Sequence, residues 1–212
     1  MSSTLTNIRN LSLDELKTSF TEFGEKPFRA KQVWEWLWQK NAHTFDQMSN
    51  LSLAFRAWLD AHYYIDYITL QDQQISKDRT IKSAFTIDDG KVIEGVLIPT
   101  STRMTACISS QIGCSLSCQF CATGRLKLMR NLSAGEIVDQ VVYLQEQAQQ
   151  NYTQNLSNIV YMGMGEPLLN YKNVLLSIDR LCSPDGGGPP HRAGSWYRAT
   201  WPGAAEPRPA RG

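Results

Sequence analysis

The sequence predicts an α/β chain: a small helical domain, a β-hairpin, and then the opening βα units of a parallel sheet or barrel. Three observations carry this. Apolar residues recur at three- and four-residue spacing up to Leu59, the period changes to two beyond Ile65, and from Thr105 to Met162 the order is strand, loop, helix, strand. The expected divisions are a helical domain over 1–64, a hairpin linker over 65–100, βα units over 101–183 and a separate tail over 184–212.

The first helix opens at Ser12, where Glu15 three residues on completes a capping box, and Gly24 suits its left-handed end. Pro27 belongs in the first turn of a second helix, whose buried stripe is Ala30, Val33, Trp34, Leu37 and Trp38. Trp36 lies off that stripe and is the tryptophan to test for exposure. Leu51, Phe55, Trp58 and Leu59 predict a third helix. Ile81, Phe85 and Ile87 then fall near one face of a strand, Asp89-Gly90 signals a tight turn, and Val92 to Ile98 forms the return strand. Thr105 to Ser110 is a short apolar strand, Ser133 with Glu136 caps a helix to about Gln149, and Asn158 to Met162 is the next strand. Lys172 to about Cys182 makes a final helix.

With 212 residues and 42% apolar content the chain can bury a core, while a formal charge of +1 neither implies nor excludes a nucleic-acid partner. Any RNA contact has to come from local clusters, of which there are two: Lys26, Arg29 and Lys31, and Arg125, Lys127 and Arg130. Cysteine count is odd, at five, and residues 1–10 are polar, so disulfide scaffolding and a secretory leader are not expected. No apolar run approaches membrane-spanning length, and the expectation is a cytoplasmic protein without a membrane partner. From Pro184 the chain holds six of the nine prolines and six of the fourteen glycines, with no Leu, Ile, Val, Met or Phe, a composition that predicts disorder.

The chemistry centres on residues 111–124, where Cys114, Cys118 and Cys121 stand four and three apart. Three thiolates at this spacing suit neighbouring irons of one 4Fe-4S cluster, leaving one iron without a protein ligand. Structural zinc would need a fourth ligand nearby, and His43, His62 and His191 are all remote. A glycine-rich turn, Gly163-Met-Gly-Glu-Pro167, follows the next strand. In βα repeats both loops fall at the C-terminal ends of strands, where active groups gather, so the two are expected to share a site. Glycine lets backbone approach a ligand, and Glu166 is placed to accept from an ammonium group.

Cys-x3-Cys-x2-Cys with Phe120 before the last cysteine resembles the signature of radical S-adenosylmethionine (SAM) enzymes. Together with Cys107-Ile-Ser-Ser-Gln-Ile-Gly-Cys114, Arg130-Asn-Leu-Ser-Ala-Gly-Glu-Ile137 and Tyr161-Met-Gly-Met-Gly-Glu-Pro-Leu-Leu-Asn170, it resembles the radical SAM methyltransferases that act on carbon 2 of a 23S rRNA adenine, over about residues 11–186. The resemblance implies a radical SAM partial barrel, a 4Fe-4S cluster on Cys114, Cys118 and Cys121, and SAM whose amino group is held by the loop with Gly165 and Glu166. It implies chemistry through a 5'-deoxyadenosyl radical, Glu94 as proton acceptor, and Cys107 resolving a protein–RNA link through a disulfide. Implied partners are 23S rRNA, also tRNA, and an electron donor such as flavodoxin or ferredoxin. A related branch methylates carbon 8 of the same adenine.

The family carries its methyl group on a cysteine near its C-terminus, and Cys182 is not at a matching position; residues from Gly188 onward do not match the family either. The expectation is a truncated or frameshifted relative. Two other classes compete: an inactive RNA-binding module made of the N-terminal helices and hairpin, and electron transfer through the cluster alone.

Overall fold

The computed structural model describes residues 5–116 and 118–182; the expected tail lies outside the described residues. The N-terminal helices form where their caps say they should. Ser12 accepts from the Glu15 amide and Glu15 answers back to Ser12, opening α1 (Leu13–Glu22), and Gly24 turns the chain at φ 94°. Helix α2 (Phe28–Trp38) begins just after Pro27, and α3 (Leu53–His62) is capped by Ser52. Their stripes meet in a core of Leu16, Phe20, Val33, Trp34, Leu37, Phe55 and Leu59. Two short parallel strands, β1 (Thr6–Asn7) and β2 (Tyr63–Tyr64), close this unit by pairing its two ends. Trp36 is half-buried: its Nε1 donates to Asn50 at 2.6 Å and the Lys40 ammonium sits 3.8 Å from its ring centre.

The sheet runs β3 (Thr69–Ile75), β4 (Ile81–Thr86), β5 (Val92–Pro99), β6 (Met104–Cys107) and, after a crossover, β9 (Asn158–Val160). The first four are an antiparallel meander, and β6 to β9 is the parallel step. The turn between β4 and β5 encloses residues 88–90 between the paired Ile87 and Lys91, with Gly90 left-handed at φ 75°. That is one residue more than the two-residue turn Asp89-Gly90 suggested, and the left-handed glycine accommodates it. Hairpin and parallel step share one core, in which Phe85 and Leu97 lie with Ala106 and Ile159.

Within the crossover, β7 (Gln111–Ile112) and β8 (Arg130–Asn131) pair antiparallel and pinch the two ends of the cysteine loop together. Helix α4 (Ala134–Tyr152) follows, opened by the Ser133–Glu136 capping box, and α5 (Tyr171–Cys182) comes after β9. Ile81, Phe85, Ile93, Leu97 and Ala106 pack against Ile137, Val141 and Leu144 of α4. Residues directly opposite across an antiparallel ladder share a face. Glu94, Val96 and Cys107, partners of Ala84 or of one another in that ladder, therefore lie on the opposite, half-exposed face. No helix among the described residues is long and apolar enough to cross a membrane.

Candidate functional site at the strand ends

The cysteine loop and the glycine loop emerge side by side from β6 and β9. Ser110 and Gln111 both donate their amides to the Met164 carbonyl, at 2.9 and 3.2 Å, and the Gln111 side chain accepts from the Glu166 amide at 2.8 Å. Gly165 makes this contact possible: it is left-handed at φ 93°, and a Cβ there would fall 2.4 Å from that of Gln111. Gly163 is equally confined, with a Cβ reaching within 2.7 Å of the Ser109 hydroxyl. The Glu166 carboxylate accepts from the Leu168 amide at 3.2 Å and so caps the turn that begins at Pro167.

Gly113, at φ 74°, lets the incoming strand pass against the Lys127 carbonyl, and Cys114 donates its amide to Leu126. Further amide-to-carbonyl turns run from Cys121 to Cys118 and from Gly124 to Cys121. Cys114 and Cys121 are half-buried, Cys118 is exposed, and Phe120 projects 95% exposed. The donor set fits an iron-sulfur cluster: three free thiols on one loop, with the Leu116 amide aimed at the Cys114 sulfur at 3.4 Å. The three sulfurs are not gathered, however; among the described residues no group of three Cys, His, Asp or Glu side chains converges as metal ligands. Iron–sulfur bonds are themselves what draw such ligands inward.

Glu94 and Cys107 occupy the same open sheet face, bridged by Val96. Glu94 is partnered by Lys82 at 2.9 Å, both side chains being 46% exposed. Burial raises the Cys107 thiol above its ordinary pKa against the opposing effect of the Met162 amide, so it stays protonated at neutral pH. The disulfide expected of Cys107 is not formed. None of the five cysteines is in a disulfide, and β6 seats Cys107 between Val96 and Val160.

Arg130, expected among the basic residues beside the cysteine loop, is instead an internal tie. It grips Glu136 with two bonds of 2.6 and 2.9 Å and Asp89 with one of 2.8 Å. Burial pushes the Asp89 carboxyl up, but hydrogen bonds from Arg130 and Lys91 outweigh it and hold the group at about 2. Arg29 likewise faces Glu25 at 3.7 Å.

Sequence reasoning passed over the buried polar side chains that support the loops. Ser109 is fully buried between Glu94, Met164 and the Gln140 side chain, and Asn170 donates to the carbonyls of Ser110 and Leu132. Their signal was slight: a glutamine on the apolar side of a helix, and serines ending an apolar strand.

A sheet with a parallel step, a three-cysteine loop after one strand and a glycine turn after the next make up an α/β protein whose fold is similar to that of a radical SAM enzyme. Its backbone matches the crystal structure of a radical SAM methyltransferase from Sphaerobacter thermophilus with a TM-score of 0.74 at 37% identity, over 85% of this chain and 53% of that one. Residues 6–65 match the family model described as ribosomal RNA large subunit methyltransferase N-terminal domain. The chain is 54% identical over 179 residues to the probable dual-specificity RNA methyltransferase RlmN of Cytophaga hutchinsonii, covering 84% of this chain and 49% of that protein. It is 44% identical over 180 residues to the dual-specificity RNA methyltransferase RlmN of Geotalea uraniireducens, covering 85% and 51%. The chain is thus related in sequence and fold to the radical SAM RNA methyltransferases, and it spans about half the length of the curated relatives it matches.

Proposed function

We propose that the chain contributes the cluster-binding and SAM-binding part of a radical SAM methyltransferase acting on carbon 2 of a 23S rRNA adenine and also on tRNA; its relatives are named dual-specificity RNA methyltransferases, which fits two RNA substrates. One observation carries this: the cysteine loop and the glycine loop are hydrogen-bonded to each other at the ends of adjacent parallel strands, through Ser110, Gln111 and Met164. In this reading Cys114, Cys118 and Cys121 hold a 4Fe-4S cluster. When bound, such a cluster supplies, from a donor such as flavodoxin or ferredoxin, the electron that splits SAM.

The remaining work falls to the chain's own groups. The backbone of residues 163–167 and the Glu166 carboxylate take the SAM ammonium, the confined Gly163 and Gly165 keeping side-chain bulk out of its way. Glu94 accepts the proton lost from the adenine ring once its carboxylate leaves Lys82. Cys107, on the same face, is the sulfur placed to resolve a protein–RNA link once it ionises: its thiolate would bond to the sulfur of the methyl-carrying cysteine, and the electron pair of the broken carbon–sulfur bond would stay with the RNA product.

The test is anaerobic reconstitution with iron and sulfide, followed by electron paramagnetic resonance of the reduced protein with and without SAM. A cluster signal that changes when SAM is added is the expected result. No iron-sulfur absorption after reconstitution, or a signal indifferent to SAM, removes the proposal.

A further inference from the structure

We propose that Ser109, gripped by Gln140, is a positioning residue that fixes the 163–167 loop against the strand carrying Glu94; the proposal rests on the SAM-binding role given to that loop above. A serine hydroxyl is both donor and acceptor, and here it uses both capacities on different elements. It donates to the Glu94 carbonyl at 2.6 Å and accepts the Met164 amide at 2.9 Å. The backbone of Ser109 is held in turn. Its amide donates to Gln140 Oε1 at 2.8 Å, and its carbonyl accepts from Gln140 Nε2 at 3.1 Å. Gln140 Nε2 also reaches the Glu136 carbonyl at 3.1 Å, which locks the glutamine onto its own helix.

Ser109 and Gln140 are both fully buried, so water cannot stand in for any of these bonds. Gly163 packs so closely on Ser109 that no side chain fits between loop and hydroxyl. The result is a single knot joining β5, the end of β6, α4 and the glycine loop. One sub-ångström adjustment at Ser109 would move the ammonium-binding loop relative to Glu94, and reaction rates and ligand affinities respond steeply to displacements of that size. A second tether, from the Ser110 and Gln111 amides to the Met164 carbonyl, keeps the loop attached when the hydroxyl is lost. Removing the hydroxyl therefore slackens the loop without releasing it.

The experiment compares the metal-free full chain with its Ser109→Ala and Gln140→Met variants by site-resolved amide hydrogen exchange, the second variant keeping side-chain length while removing the amide. In both variants exchange at Met164 is expected to quicken, by about tenfold or more in Ser109→Ala, with Val141 and Leu144 on α4 unchanged. Calorimetric titration of SAM into the reconstituted proteins should show affinity weakened by about tenfold in Ser109→Ala. Unchanged exchange at Met164 in either folded variant overturns the proposal. So does acceleration spread equally to Val141 and Leu144, which would make Ser109 a prop of the whole fold. If reconstituted wild type takes up no SAM, the functional reading fails, and the exchange data still decide whether Ser109 sets the loop.

Discussion

At the scale of single residues, Asp66 shows how burial makes one carboxylate sensitive to pH. It lies in the connection between β2 and β3, with one oxygen buried and without a hydrogen-bond partner among the described residues and the other accepting from Asn7 at 3.4 Å. Burial raises its pKa from 3.8 to about 6, neighbouring Glu136 and Asp88 add to the rise, and Arg9 opposes it. The fold therefore prefers the protonated acid. Stability from this group is fully present below the unfolded value and is lost as pH rises through about 6. Asp66→Asn should flatten that dependence and stabilise the protein at pH 7.5 by about 1 kcal/mol, a figure reduced for the group's partial exposure. Urea denaturation of both proteins at pH 4.5 and 7.5 measures it, and a variant no more stable than wild type at pH 7.5 contradicts the assignment.

At the scale of elements, Arg130 bolts the mouth of the cysteine loop to the start of α4 and to the hairpin tip. Glu136, its partner, is 2% exposed, so Arg130→Met strands a buried charge and should cost about 3 kcal/mol, the low end for such pairs because Arg130 itself is one-third exposed. Thermal denaturation of the variant checks this; a cost below about 1 kcal/mol would mean that Glu136 is satisfied by its capping bonds at Ser133 alone. The same elements show what could be read from sequence and what could not. The capping boxes at Ser12 and Ser133 were legible because they satisfy local amides with residues three apart. So were the strand ends that carry the two loops. Strand β3 was not: as an outer strand with a bulge near Leu70 and Asp72 it buries almost nothing, so its sequence carries no alternation. Arg130 looked like a surface cation because its two acidic partners lie 41 and 6 residues away on different elements. The Ser109–Gln140 pairing spans 31 residues, and no local pattern encodes it.

At the scale of the whole molecule, α4 belongs to both cores. Val138 packs with the N-terminal helices, while Ile137 and Val141 pack under the sheet. The polar tie beside it joins Arg9 to Asp139 by bonds of 2.8 and 2.6 Å, both side chains nearly sealed from water, and Asp139 also accepts the Ile68 amide. On α5, Arg180 lies 4.2 Å from the Trp34 ring centre and adds a second bridge. Arg9→Met should destabilise by about 3–5 kcal/mol, since it leaves Asp139 charged and buried. It should also split one calorimetric transition into two. A single undivided transition in the variant would show that apolar contact alone couples the two halves. Asp139 and Gln140 are consecutive residues, so the anchor of the helical unit and the grip on Ser109 are separated by a single peptide unit. A tilt of the helical unit against α4 therefore reaches the glycine loop through one peptide bond, so the two ends of the molecule turn together as a single lever.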